Sequence, residues 1–437
     1  MTKSAGVREA INISRTVAVC IGDAGTLVGE LGYIKQGPRE NSTFVYDSAW
    51  LANTNRNRFA ISPDLPLIPD YHRRRAPTKD DSVFHFALAD TVPDAWGRRV
   101  IARDHAKRRV AEKLQPLNEM DYLLAVDDFS CIGALRLCDT EGNYLRTAAD
   151  GRRNTPPLVD LQLMVEASRA VEMNQETAAD LRYLQGKGTS LGGLRPKCTV
   201  IDSNGRLSLG KFLSVSDERS VTRGEVLAMH LARLAGIDAA SARIEELQKT
   251  PVAIIERFDR TADDLRIPYL SAASMLQASR AEEHTYFEIA DVIRARGSEP
   301  VADAKQLWRR LVFNLLITNV DDHLHNLGFL HVANNQWHLA PAFDINPFPD
   351  KTNESKTWLS DQDGPITALS DLMARAPYFA LGSDEALAIL AEVVRAVSQW
   401  KTVALSPAVG LQAKEANDFA PAFEHDQKAV AHTILNG

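Results

Sequence analysis

The sequence predicts an α+β fold in two lobes, a β-rich lobe followed by an all-helical lobe, with an extra β-rich region before them. Short apolar segments separated by Gly-containing turns are concentrated before residue 260, which is typical of β-strands. After residue 260 the pattern favours helices. These are expected at roughly 284–296, 303–319, 367–375, 384–402 and 414–435.

Length and composition limit the classes of protein. At 437 residues the chain has room for two or three domains of ~150 residues each. Its 45% hydrophobic and 24% charged residues are ordinary for a globular protein. A formal net charge of -7 argues against a wholly basic, nucleic-acid-coating surface.

The cysteines and the apolar segments indicate a cellular location. The four cysteines form no Cys-x-x-Cys pair and no zinc-binding spacing, so reduced thiols are expected. The amino terminus lacks the apolar core of a signal peptide, and no apolar run approaches the ~20 residues of a membrane span. We therefore expect a cytoplasmic protein that does not contact membranes.

The amino-terminal region, residues 1–150, is predicted to contain short strands between residues 15 and 52. A helix is expected from Asp94, a plausible N-cap, to Leu114. Its basic face favours a solvated helix surface, with contact to acidic protein or nucleic acid as the alternative. A polar linker near residue 150 leads to a helix at roughly 158–184.

A Gly-rich loop and a strand lysine stand out in residues 151–258. Four glycines precede a predicted hairpin that turns at Asn204-Gly205, and such a loop can cradle phosphate groups. Lys211 lies within the apolar strand LGKFL, where a lysine must reach solvent or meet an anion. Glu225, at the predicted start of the next helix, is a candidate partner for Lys211, although N-terminal capping is a competing role.

The last region, residues 259–437, contains the densest group of polar residues. An apolar helix runs into the loop NVDDHLHN (residues 319–326), and Asp344 follows a short hairpin. In protein kinases a catalytic Asp is followed after four residues by a metal-binding Asn and later by a metal-binding Asp. Asp321, Asn326 and Asp344 have this order.

Separated motifs resemble one family. They are STFVYDSAWL, ISPDLPL and GALR in the amino-terminal region, and GGLRPK, IERFDR, NVDDHLHN and LAPAFD after it. With these motifs the chain resembles, over nearly its whole length, the HipA-type serine/threonine kinases, the toxins of bacterial HipA/HipB toxin–antitoxin modules. The resemblance implies a two-lobed protein-kinase-like fold, ATP and Mg²⁺ as cofactors, and growth arrest on expression.

The resemblance also implies roles for individual residues. Asp321 would be the catalytic base, and Asn326 and Asp344 would hold Mg²⁺. The residues expected to contact ATP are Lys211 at the phosphates, Glu256 and Phe258 at the hinge beside adenine, and the loop from Gly188 to Lys197, which includes Gly192 and Gly193. Ser190 in this loop would be autophosphorylated, which inactivates the kinase.

The implied partners are a HipB-like helix-turn-helix antitoxin, DNA only through that antitoxin, and a translation component such as an aminoacyl-tRNA synthetase as substrate. The sequence departs from ordinary kinases where Ile345 and Asn346 follow Asp344, and where Asn319 and Val320 precede Asp321. Regulation by an ordinary activation loop is therefore not assumed.

Two other functions compete with a kinase. In a metal-dependent phosphohydrolase, Asp321, Asp322, His323 and His325 would be ligands for Mn²⁺ or Zn²⁺. Such an enzyme needs neither the strand lysine nor the Gly-rich loop. In a binding module, the chain would act mainly as a co-repressor on a DNA-binding antitoxin.

Overall fold

A computed structural model describes residues 12–54, 58–145, 161–184, 195–248 and 250–436. Ser190, Gly192 and Gly193 lie outside these ranges. Within them, no helix combines the length and the apolar character needed to cross a membrane.

The amino-terminal region is built on a five-stranded antiparallel sheet. Its strands are β1 (Asn12–Ile21), β2 (Thr26–Gln36), β3 (Arg39–Tyr46), β4 (His72–Arg74) and β5 (Leu135–Cys138), in the order β4-β3-β2-β1-β5. Alternate residues such as Val19, Leu31 and Phe44 are fully buried, because successive side chains of a strand point to opposite faces. The β-rich start predicted from the sequence is confirmed.

The described part of this region also contains the helices α1 (Ser48–Ala52), α2 (Phe86–Ala89), α3 (Ala95–Arg109) and α4 (Glu119–Leu123). Asp94 is the N-cap of α3, as predicted, and accepts a hydrogen bond of 2.7 Å from Gly97 N. The basic face of α3 is in part an internal contact surface, since Arg99 donates to Val171 O at 3.2 Å and Arg103 to Glu176 at 3.1 Å.

The small lobe follows with a four-stranded sheet. Its elements are α5 (Leu161–Glu172), α6 (Ala178–Leu184), β6 (Lys197–Ile201), β7 (Leu207–Lys211), α7 (Val221–Leu234), β8 (Ala242–Leu247) and β9 (Thr250–Glu256), with strand order β6-β7-β9-β8. The single helix predicted at 158–184 is two helices, because the chain turns at Asn174, whose φ is 59°.

The large lobe is mainly helical. Its helices are α8 (Ala272–Leu276), α9 (Tyr286–Arg296), α10 (Pro300–Leu316), α11 (Leu369–Arg375), α12 (Ser383–Ser398), α13 (Trp400–Ala404), α14 (Ala413–Phe423) and α15 (Asp426–Asn436). The expectation of an all-helical lobe was wrong in one respect. The lobe also contains the sheet β10 (Tyr269–Ser271), β11 (Gly328–Ala333) and β12 (Gln336–Leu339), and the pair β13 (Trp358–Ser360) and β14 (Gly364–Pro365).

The amino-terminal region contacts the large lobe through buried polar groups. Asp90 accepts hydrogen bonds of 2.8 Å from both Ser271 N and Ser271 Oγ, at the start of α8. Burial raises the pKa of Asp90 to about 6. Phe59 stacks on His331 of β11 with ring centroids 3.7 Å apart. The two regions therefore share one continuous interior.

Candidate active site

A buried lysine and two carboxylates lie between the lobes. Lys211, the last residue of β7, places its Nζ atom 2.6 Å from Glu225 Oε1 and 2.7 Å from Asp344 Oδ1. Glu225 lies in the second turn of α7, which begins at Val221, so the capping role is wrong and the pairing with Lys211 is observed. A carboxylate 14 positions and another 133 positions from Lys211 in the sequence thus meet at its ammonium group.

Burial and charge act in opposite directions in this cluster. Burial alone would lower the pKa of Lys211, but Asp344 and Glu225 outweigh it and raise that pKa above its ordinary value. Burial alone would raise the pKa of Asp344, but Lys211 and Lys197 hold it below the usual range. Asp344 is therefore ionised at neutral pH. Burial, with the negative charge of Asp344 nearby, raises the pKa of Glu225.

Lys197 lies beside this cluster and is held by the amino-terminal region. It is the direct cross-strand partner of Lys211, so the two side chains share one face of the sheet. Its Nζ atom lies 3.0 Å from Asp94 Oδ2, with the two side chains 2% and 3% exposed. Asp94, the N-cap of α3, therefore provides a counter-charge to one of the residues predicted to contact phosphate.

The loop after α10 carries Asp321 and Asn326. Asn326 Nδ2 donates to Asp321 O at 2.8 Å, which closes the loop on itself. Asp321 is partly exposed and forms an ion pair with Lys356 Nζ. Sequence reasoning did not identify Lys356, since no motif marks it.

Asp322 anchors the loop to neighbouring segments through hydrogen bonds. Its carboxylate accepts hydrogen bonds from Tyr286 OH at 2.6 Å and Lys356 N at 2.7 Å, and its carbonyl oxygen accepts from Thr357 Oγ1 at 2.7 Å. Burial raises the pKa of Asp322 to about 6. One buried carboxylate thus connects α9, the loop and the segment that contains Lys356.

The two loop histidines are uncharged at neutral pH. Burial lowers the pKa of His323 and lowers that of His325 to about 4. Across the described ranges, no group of three or more His, Cys, Asp or Glu side chains is placed to hold a metal ion. The phosphohydrolase cluster of Asp321, Asp322, His323 and His325 is therefore not formed.

Oxygen ligands for Mg²⁺ are nevertheless available. Asn326 and Asp344 line one cavity, together with Asn319 and His323. The amide nitrogen of Asn326 is occupied by Asp321 O, which leaves its amide oxygen as an acceptor, and Asp344 is ionised. An amide oxygen and a carboxylate are ligands that Mg²⁺ accepts, with water completing its coordination. The residues present fit the ion.

The segment predicted as the hinge has a second role. Glu256 ends β9 and forms an ion pair with Arg206, and the ring of Phe258 lies 5.2 Å from that of Phe343. Phe343 directly precedes Asp344 in the sequence. Phe258 therefore packs against the segment that positions the predicted metal ligand.

The other charged residues of IERFDR connect the hinge to the amino-terminal region. Arg257 Nε donates to Asp259 Oδ1 and Arg260 Nη1 to Asp259 Oδ2, each at 2.7 Å. Gly133 N, just before β5, also donates to Asp259 Oδ2 at 2.7 Å. The family motif GALR thus meets IERFDR at one buried carboxylate. Burial opposes ionisation of Asp259, but the two arginines hold its pKa well below the usual range.

Two family profiles and a solved structure match this chain. A sequence profile of the HipA N-terminal domain matches residues 22–138, and one of the HipA-like C-terminal domain matches residues 189–401. A chain of the Shewanella oneidensis MR-1 complex of HipA, HipB and operator DNA superposes with a TM-score of 0.64 at 16% identity, covering 96% of this chain and 99% of that chain.

Two curated relatives match smaller parts of the chain in sequence. Putative kinase Y4mE of Sinorhizobium fredii is 22% identical over 340 residues, 74% of this chain and 75% of that protein. A putative kinase of Haemophilus influenzae is 23% identical over 193 residues, 39% of this chain and 56% of that protein. With both domain profiles matched in order and the fold shared along nearly the whole chain, the protein is a HipA-type protein.

Proposed function

We propose that this HipA-type protein is an ATP- and Mg²⁺-dependent protein kinase that phosphorylates a Ser or Thr hydroxyl. The observation that carries the proposal is the contact of Lys211 with both Glu225 and Asp344. A strand lysine paired with a helix glutamate and set beside a metal-binding aspartate is the arrangement that protein kinases use for phosphoryl transfer. The names of the two curated relatives support the same activity.

In this mechanism each residue has a distinct task. Lys211 binds the ATP phosphates while Glu225 holds its ammonium group in place. Asp321 accepts the proton of the substrate hydroxyl as that oxygen attacks the γ-phosphorus and the bond to the β-phosphate oxygen breaks. Asn326 and Asp344 would hold Mg²⁺, which when bound neutralises charge on the phosphates.

Glu256 and Phe258 are proposed to lie beside adenine, and Lys197, Gly192 and Gly193 to belong to the loop that covers the phosphates. Ser190 is proposed as the autophosphorylation site that switches the enzyme off. Intact-mass analysis after incubation with ATP should show one phosphate, absent in Ser190→Ala. No phosphate on Ser190 would contradict this role.

The biological role is proposed to be that of a toxin. The solved complex in which a similar chain is bound to HipB and operator DNA supports a HipB-like antitoxin as partner. The proposed substrate is a cytoplasmic translation component such as an aminoacyl-tRNA synthetase. Growth should stop on expression of the intact chain and continue on expression of Asp321→Asn. Arrest by both forms would show that phosphorylation is not its cause.

The same complex favours a second, co-repressor function, in which this chain acts on DNA through the antitoxin. A gel shift at several salt concentrations should detect operator binding only when a HipB-like partner is present. Binding by the chain alone would contradict this.

The activity is tested by transfer of ³²P from [γ-³²P]ATP with Mg²⁺ to lysate proteins and to the chain itself. Asp321→Asn and Asp344→Ala should each lose at least about 100-fold in rate. Asp361→Asn, an exposed aspartate of the same lobe, is the matched control and should retain full activity. Equal transfer by all four proteins would overturn the proposed site.

A further inference from the structure

We propose that Lys356 is a catalytic residue that contacts the transferring γ-phosphoryl group beside Asp321. This inference rests on the proposed kinase function. Lys356 Nζ forms an ion pair with Asp321, although the two residues lie 35 positions apart in the sequence.

The backbone of Lys356 is fixed in a way that an ordinary surface lysine is not. Lys356 N donates to the buried carboxylate of Asp322 at 2.7 Å, and the next residue, Thr357, donates to the carbonyl of Asp322 at 2.7 Å. Trp358 N then donates to His284 O at 3.0 Å. The base of the side chain is held on the same loop that carries Asp321, while its ammonium group stays accessible.

The accessible end of Lys356 is suited to a ligand. Its side chain is 57% exposed and that of Asp321 is 41% exposed. An exposed pair of this kind contributes little to stability because water competes for both charges. Folding stability therefore does not explain this ion pair, although two hydrogen bonds to Asp322 hold the segment of Lys356 against the loop.

Negative charge that develops at this end of the site during phosphoryl transfer would be stabilised by the ammonium group of Lys356. During transfer, negative charge is spread over the three equatorial oxygens of the phosphoryl group, next to the carboxylate of Asp321. In the proposed mechanism Lys211 binds the ATP phosphates beside Glu225 and Asp344, whereas Lys356 is the lysine paired with Asp321.

In the proposed step, Lys356 keeps its proton throughout. The substrate hydroxyl oxygen forms a bond to the γ-phosphorus, the bond to the β-phosphate oxygen breaks, and ADP leaves. The hydroxyl proton moves to Asp321. The ammonium group of Lys356, which pairs with Asp321, then also donates a hydrogen bond to an equatorial oxygen of the phosphoryl group in transfer.

The test compares Lys356→Met, Lys356→Arg and Lys351→Met in the [γ-³²P]ATP assay, with a fluorescent ATP analogue to measure nucleotide affinity. Lys351 is an exposed lysine five residues earlier in the same segment. We expect Lys356→Met to lose about 10- to 100-fold in transfer rate. Its nucleotide Kd and its melting temperature should match those of Lys351→Met, and Lys356→Arg should recover part of the rate.

Three results would overturn the inference. The first is a transfer rate in Lys356→Met equal to that in Lys351→Met. The second is a rate loss in Lys356→Met that is accompanied by an equal loss of folding, which would show a structural role, or by an equal loss of nucleotide binding, which would show that the lysine acts on ATP binding and not on the transfer step. The third is absence of transfer by the intact chain, which would also refute the proposed function, whereas the first two leave that function standing.

Discussion

Lys197 Nζ lies 3.0 Å from Asp94 Oδ2, and this pair links the strand before Lys211 to a helix of the amino-terminal region. The two residues are 103 positions apart. Buried ion pairs are expensive to break because the remaining charge has left water and lost its partner. The pair therefore makes the small lobe depend on the amino-terminal region for its stability.

Asp94→Asn should lower the free energy of unfolding by roughly 3 kcal/mol, since the amide can still cap α3 but carries no charge for Lys197. Denaturant unfolding at pH 7.5 measures this. Glu112→Gln, which alters an exposed ion pair with Arg108, is the control, and its free energy of unfolding should equal that of the intact chain. A stability of Asp94→Asn equal to that of this control would contradict the prediction.

Lys211→Met should destabilise the chain by roughly 3–5 kcal/mol at pH 7.5, because Glu225 and Asp344 lose the cation between them. Without Lys211 the pKa values of these carboxyls rise, so the folded state takes up a proton as the pH falls. The loss should therefore be smaller at pH 5.5 than at pH 7.5.

The double variant Lys211→Met/Glu225→Gln provides the check. It removes one of the two negative charges and should be more stable than Lys211→Met alone. Additive losses in the double variant, or a penalty independent of pH, would argue against coupling among the three groups.

Asp322 should make stability decrease as the pH rises from 5 to 7.5. Its pKa is about 6 in the folded chain, above the ordinary value of 3.8 expected in the unfolded chain, so over this range the folded state releases a proton that the unfolded state has already lost. The change amounts to about 1 kcal/mol. We would measure the unfolding free energies of the intact chain and of Asp322→Asn from pH 5 to pH 7.5. The difference between the two should change by this amount across the range. A difference that is constant with pH would contradict the prediction.

Asp259→Asn should destabilise the chain strongly at neutral pH, because Arg257 and Arg260 lose their shared counter-ion. The folded pKa of Asp259 lies below its ordinary value, so its contribution is present above pH 4 and disappears as the pH falls through the folded pKa. Urea unfolding at pH 7 and pH 3.5 should show a smaller difference from the intact chain at the lower pH. An equal difference at both values would contradict this assignment.

Much of the fold could be predicted from local patterns. The hairpin at Asn204-Gly205, the N-cap at Asp94 and the long helices are each determined by neighbouring residues, and the structure confirms them. Two details were missed for physical reasons. The break at Asn174 depends on a single positive φ, and β10 has only three residues, too few to show a periodic pattern.

The candidate site was predictable only in part. The motifs indicated Lys211, Asp321, Asn326 and Asp344, whose roles stay predictions, and the structure brings Lys211 and Asp344 into contact. Lys356 could not be found, because its contact with Asp321 is tertiary and no motif contains it. Likewise, nothing in the sequence indicates that IERFDR also binds the amino-terminal region.

The amino-terminal region is tied to three parts of the kinase-like body at once. Asp94 binds Lys197 of the small lobe, Gly133 binds Asp259 beside the hinge, and Asp90 binds Ser271 of the large lobe. The amino-terminal region therefore bridges the small lobe, the hinge and the large lobe, and it restricts rotation of the two lobes about the hinge. Rotation of one lobe away from the other would break buried polar contacts at one end of it. For the proposed kinase we therefore expect ATP to enter and leave with the angle between the lobes almost unchanged.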